Sequence, residues 1–229
     1  MTEESRAQIS VPTRDLGSPE DVRNRVLSVI ARLKGHNPFA IAGRAQLRSA
    51  LGKNVGEVPS VWAYTLESGD ERQIGNEATQ GELAVHAALT LWAMHQGSHD
   101  TSMHMRSQRG TTIGASARRV AVSGASDNRC PEEHPIYRRL CAMISAQTFD
   151  ALVTHARGLV SVMSSADVQI DYGRLASDFY SWQNPRLRSR VVRQWGRDFA
   201  RTPLSEDGVA GGNVVDLEPI QSESAIPQD

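Results

Sequence analysis

Between Gln80 and Gln96 the chain leaves a helix almost no polar face, and this segment restricts the fold more than any other. Wound at about 100° per residue, Leu83, Val85, Ala87, Ala88, Leu89, Leu91, Trp92 and Met94 fall around nearly the whole circumference. A helix that is apolar on every side must be surrounded. His86 and Thr90 interrupt the run, and it is too short to span a bilayer, so it belongs in the middle of a bundle.

The rest of the chain supplies candidate neighbours for it. Ser18-Pro19-Glu20-Asp21 reads as a helix start, with Ser as N-cap, Pro in the first turn and acids against the helix dipole. That helix is expected to reach about Lys34 and end at Gly35. Further helices are expected at about 39–51, 57–66, 113–122, 132–146, 149–164, 172–182 and 186–201. Thr148 and Asp171 are candidate N-caps, and Asn184-Pro185 separates the last two helices. No sustained period-two pattern marks a strand, and no repeat of 20–50 residues occurs. The fold class is therefore all-α: a bundle of about eight helices in two lobes, 18–122 and 132–201. A loop at 123–131 divides them, and the ends (1–17 and the acidic 202–229) are expected to be disordered.

Overall charge is close to balanced, with 25 basic and 26 acidic residues, but its distribution is not. Residues 102–201 carry 15 Arg, no Lys and 8 acids, whereas 202–229 carry 6 acids and no base. An acidic tail thus masks a basic body. In the last helix Arg186, Arg190, Arg193, Arg197 and Arg201 form one stripe opposite Leu187, Val191, Trp195 and Phe199, with Asp198 the one acid present. Such a stripe is either tolerated in water or waits for a polyanion. Arg106, Arg109, Arg118-Arg119, Arg138-Arg139 and Arg157 continue the basic character on preceding segments. Guanidinium groups recurring without matching acids suit bidentate, sequence-independent phosphate contacts. Trp62, Trp92, Trp182 and Trp195 lie in apolar stripes and are expected in the core, not as stacking platforms.

Catalytic constellations fail one by one. His95 and His99, with His86 and His104 nearby, have partial metal-ligand spacing, but Gly97 lies between them and no acid or thiol completes a set. Gly52-Lys53-Asn54 lacks the hydroxyl and the earlier glycine of a phosphate-binding loop. Ser116 has no second glycine and no preceding strand to make it a nucleophile. Asp171, Asp178 and Asp198 lie among arginines as ion-pair partners. No nucleophile, base and oxyanion donor assemble, so no enzyme, cofactor or metal is expected. Cys130 and Cys141 read as reduced thiols, and the N-terminus lacks an apolar leader, so a cytoplasmic protein is expected.

Five separate segments resemble one known family. They are Gly52-Lys53-Asn54-Val55-Gly56-Glu57-Val58-Pro59-Ser60-Val61-Trp62, the run Leu83–Gln96, Met103-His104 with Ile113-Gly114 and Arg118-Arg119, Asp171-Tyr172 through Trp182-Gln183, and Arg193–Phe199. In order and content they are similar to CasB, the small subunit of the type I-E CRISPR interference complex, Cascade. The resemblance covers about residues 39–201.

It implies an all-helical, non-catalytic protein that pairs with a second copy along the inside of the complex, against the subunits that hold the CRISPR RNA. Its implied partners are those subunits, the RNA–DNA hybrid and the displaced DNA strand. Carried over by position, the implied nucleic-acid contacts are Arg48, Arg118, Arg119, Arg138, Arg139, Arg157 and Arg186. The N-terminal extension and the acidic tail inherit no role. The residues alone leave a different class open, a helical DNA-binding regulator or adaptor, although no base-reading recognition helix follows a tight turn.

Overall fold

Capping chemistry sets most helix boundaries. The computed structural model describes residues 16–66, 77–106, 111–123 and 130–201. Ser18 Oγ accepts from the Asp21 amide and opens α1 (Pro19–Arg32), and Asn37 Oδ1 accepts from Ala40 to open α2 (Pro38–Ser49). After a 3₁₀ turn at Pro59–Val61 comes the single turn of α3 (Trp62–Thr65). A full capping box between Thr79 and Glu82 starts α4 (Gln80–Gln96). Then follow α5 (Ile113–Ser123), a 3₁₀ turn at Pro131–Glu133 and α6 (Pro135–Ile144). The last three are α7 (Phe149–Ser165), α8 (Tyr172–Trp182) and α9 (Pro185–Ala200), capped by Thr148, Asp171 and Asn184.

Those nine α-helices account for the architecture among the described residues, and the all-α class is borne out. The pairing of Met103–Met105 with Ile170 is a single isolated bridge. It ties the segment after α4 to the connection between α7 and α8. No helix among the described residues is long and apolar enough to cross a membrane.

The surrounded helix is α4. It packs against α1, α2, α3, α7 and α8, and fourteen of its seventeen residues are buried. Around it, α1 lies on α8, α5 on α9, and α6 on both α5 and α7. One continuous apolar cluster runs through the molecule, with Trp92, Trp182, Trp195 and Phe179 among its largest buried side chains.

Several expectations change at the level of individual elements. The helix expected over 57–66 shrinks to α3, because Gly56 takes a left-handed φ of 82° and Val58 is extended ahead of Pro59. One turn is too short to bury Trp62, which is 45% exposed and donates its indole N–H to the Gly56 carbonyl at 2.8 Å. The helix expected over 132–146 is split at His134, which is extended because Pro135 follows it. Leu187, placed in the apolar stripe of the last helix, is 37% exposed at its first turn. Leu16 and Gly17, assigned to a disordered end, are docked: Leu16 is buried, and the Tyr180 hydroxyl donates to the Gly17 carbonyl at 2.6 Å. Residues 1–15, 124–129 and 202–229, which hold the rest of the expected disorder and most of the expected loop, lie outside the described residues.

Candidate nucleic-acid interface

Two of the seven arginines singled out by sequence, Arg139 and Arg157, reach across from α6 to α7 and from α7 to the end of α2, where a third, Arg48, lies in the last turn. The α6–α7 packing sets one Arg139 guanidinium nitrogen 3.5 Å from the point where a Gly158 side chain would begin. One residue earlier on α7, an Arg157 guanidinium nitrogen lies 3.6 Å from the corresponding point on Gly52, just beyond the end of α2. The chain can turn there because Gly52 takes a φ of 80°. Arg48, in the last turn of α2, is one helical turn back from that glycine. All three side chains are exposed, as is Arg138 beside Arg139. None of the four side chains makes an ion pair or hydrogen bond among the described residues. Lys53 adds a cation at the same corner. It is not among the carried-over positions, although its place next to Gly52 was the available signal, and it reaches Glu57 at 3.7 Å.

Arg118 and Arg119 occupy a different place. Both are half-buried on α5. Arg118 donates to the Phe199 carbonyl at 3.1 Å, satisfying an otherwise open acceptor at the end of α9. Arg119 donates to the Gln169 carbonyl at 2.8 Å and to Ser116 Oγ at 3.0 Å. Their guanidinium groups therefore hold the fold together, and the Nε of each is itself buried, so few of their donors are free to face outward. Arg186 stands apart again, exposed in the first turn of α9.

The α9 stripe is as cationic as the sequence suggested. Arg190, Arg193, Arg197 and Arg201 are exposed, and among the described residues only Arg201 finds an acid, Asp198 at 3.5 Å. Arg188 is turned away and stacks on the Trp182 ring at 3.9 Å. At the start of the stripe a cleft of about 720 Å³ opens between α1, α8 and α9, and Arg23, Arg106, Arg174 and Arg190 line it. Sequence reasoning missed this cleft, because its arginines come from four segments with no shared periodicity.

The histidines are spent separately. His95 is buried, hydrogen-bonded through Nδ1 to the Tyr172 hydroxyl at 2.8 Å, and burial lowers its pKa to about 4. His99 faces Asp167 at 3.1 Å and Ser164 at 3.1 Å, and His104 Nδ1 accepts from the Tyr172 amide at 3.2 Å. Among the described residues no three His, Cys, Asp or Glu side chains come together as a metal site would need. Asp178 is buried between α8 and α9, where Trp195 Nε1 donates to it at 2.8 Å and Arg174 Nε at 3.0 Å. Burial raises its pKa, against the pull of Arg174.

Fold and surface together define an all-α protein built around one enclosed helix, with unpaired arginines on its outer helices. Residues 43–199 match the family model of CRISPR-associated protein Cse2, and the chain belongs to that family. The CasB resemblance read from the sequence is borne out. CasB from Thermobifida fusca is 29% identical over 80% of this chain and 97% of its own, with a TM-score of 0.60. A Cse2-family protein of Thermus thermophilus (22% identity, TM-score 0.54, 78% of this chain and 97% of its own) shares the fold. So does a chain of a CRISPR RNA-guided surveillance complex, at 24% identity and TM-score 0.54, over 79% of this chain and 94% of its own. No curated protein matches the chain.

Proposed function

We infer that this chain is the non-catalytic small subunit of a type I-E CRISPR RNA-guided surveillance complex in the cytoplasm. In that role it stabilises the RNA–DNA hybrid and the displaced DNA strand. Membership of the Cse2 family supports the complex, and the surface of α2, α6 and α7 supports the role. The observation that carries it is a set of exposed arginines with no acidic partner among the described residues: Arg139 reaching Gly158 on α7, Arg157 reaching Gly52, and Arg48 in the last turn of α2. Displacing one DNA strand by guide RNA exchanges one duplex for another of similar stability, so a modest backbone contact tips the balance. Arginine suits it because the planar fork keeps its charge and matches phosphate geometry. Such contacts position a strand without reading its bases. The other subunits of the complex and a second copy of this chain are the proposed protein partners.

The test is salt dependence. Alanine at Arg48, Arg138, Arg139 and Arg157, introduced into the co-purified complex, is expected to weaken target retention equally for unrelated target sequences. Each arginine that neutralises one phosphate is expected to flatten the log K against log salt slope by roughly 0.7–0.9. Alanine variants of the α9 stripe serve as the comparison. An unchanged slope in the α2–α6–α7 set, or a defect confined to one target sequence, would overturn the assignment.

A further inference from the structure

The cleft between α1, α8 and α9 holds four arginines against two acids, Glu20 and Asp178. Asp178 is already engaged by Arg174 and Trp195, which leaves Arg23, Arg106 and Arg190 without an ion pair among the described residues. The fields of Arg106 and Arg23 reach the neighbouring His104, whose pKa is lowered chiefly by burial, with Asp171 and the Ile170 backbone pulling the other way. Three unpaired cations at one cleft repel each other, and an anionic occupant would relieve that repulsion.

The direction of the chain points to the occupant. Arg190, Arg193, Arg197 and Arg201 form an exposed track along α9 that starts in the cleft and ends where the chain enters residues 202–229. From Arg190 to Arg201 the helix rises about 16 Å, at roughly 1.5 Å per residue. Glu206 lies five residues beyond Arg201, about 17 Å when extended, so every acid of the segment can return to the cleft. Those acids are Glu206, Asp207, Asp216, Glu218, Glu223 and Asp229, and no base accompanies them. Apolar residues alternate with them, Val214, Val215 and Leu217 among them, while the cleft offers Leu187, 37% exposed, at its rim. A phosphodiester backbone has no counterpart for that leucine. Covalent tethering also keeps the segment at an effective concentration on the order of millimolar.

We propose that residues 202–229 seat in the arginine cleft of α1, α8 and α9 as an internal polyanion, competing there with nucleic acid. The contact is intramolecular and independent of whether the α2–α6–α7 surface binds nucleic acid.

The test uses the full chain, labelled for backbone and arginine side-chain NMR. Spectra are compared at about 20 mM and about 500 mM NaCl, between which the Debye length falls from roughly 20 Å to roughly 4 Å. Amide signals of residues 206–218 are expected to shift between the two salts in the wild type. In R23Q/R106Q/R190Q the low-salt spectrum is expected to match the high-salt one, and R48Q/R139Q/R157Q is expected to leave the tail signals as in the wild type. A second variant, E206Q/D207N/D216N/E218Q, leaves the helices untouched and is expected to abolish the salt-dependent shift of the Arg23, Arg106 and Arg190 side-chain signals. Tail signals indifferent to R23Q/R106Q/R190Q, or released equally by R48Q/R139Q/R157Q, would overturn the proposal. So would an oligothymidylate that moves the cleft arginine signals without displacing the tail, since it would assign the cleft to nucleic acid.

Discussion

Replacing Gly114 by alanine tests the closest helix approach in the molecule. The second residue of α5 lies against the backbone of α9, and a Cβ there would stand 2.1 Å from the Trp195 carbonyl oxygen, 2.9 Å from its carbon and 3.1 Å from its Cα. Ordinary contact needs about 3.5 Å, so α5 and α9 would have to part by more than about 1 Å. The obstacle is backbone inside a helix, not a side chain that can swing away. Overpacking of this kind costs about 1–3 kcal/mol, and an immovable neighbour puts it at the upper end. Alanine's helix preference over glycine returns at most about 1 kcal/mol, leaving a net loss of about 2 kcal/mol. For a chain of this size that lowers the melting midpoint by roughly 4–8 °C. Gly196 on α9 is the control: nothing lies within 4 Å of its Cβ position, so Gly196→Ala is expected to raise the midpoint by roughly 2–4 °C. Thermal melts followed by circular dichroism, with urea unfolding alongside, check both. A Gly114→Ala protein that melts with or above the wild type, or two variants moving in the same direction, would refute the close-packing argument.

Acid is expected to loosen the fold through His95. Its pKa falls from 6.5 to about 4 because burial disfavours the imidazolium. The stability it confers is therefore complete above about pH 6.5, is lost as pH falls toward 4, and amounts to about 3 kcal/mol at most. His86 and His104 are shifted the same way, whereas the raised pKa of Asp178 works against the trend. Urea midpoints between pH 8 and 4.5 are expected to fall less in His95→Gln than in the wild type, and equal slopes would refute the assignment. Arg118→Ala, which removes the donor to the Phe199 carbonyl, is expected to cost about 1–2 kcal/mol, while Arg157→Ala stays within about 0.5 kcal/mol. Equal urea midpoints for the two would show that Arg118 is not a structural clamp.

What the sequence disclosed was whatever depends on near neighbours. Ser18, Thr148 and Asp171 cap their helices with side chains three residues from the amides they serve, and the missing polar face of α4 is periodic by nature. The surface was only half legible. Arg118 and Arg157 look alike as isolated basic residues, and the difference is a carbonyl 81 positions from Arg118. The arginine cleft needs Arg23, Arg106, Arg174 and Arg190 to meet, and no spacing rule relates them. Trp62 shows the opposite failure: its apolar setting suggested burial, but Gly56 and Pro59 left too little helix to carry it inward.

The enclosure of α4 has a consequence for genetics. With fourteen of seventeen residues buried, this helix presents little to any partner: of the other three, Leu83 and Met94 are half-buried and Gln80, at its N-terminal end, is exposed. A defective allele on α4 is therefore expected to act through protein abundance, scaling with expression level and easing at lower growth temperature. Alleles at Arg139 or Arg157 are expected to leave abundance unchanged and to resist both remedies. A mutational screen can thus separate a folding lesion from a contact lesion by its dose dependence, without any purified protein.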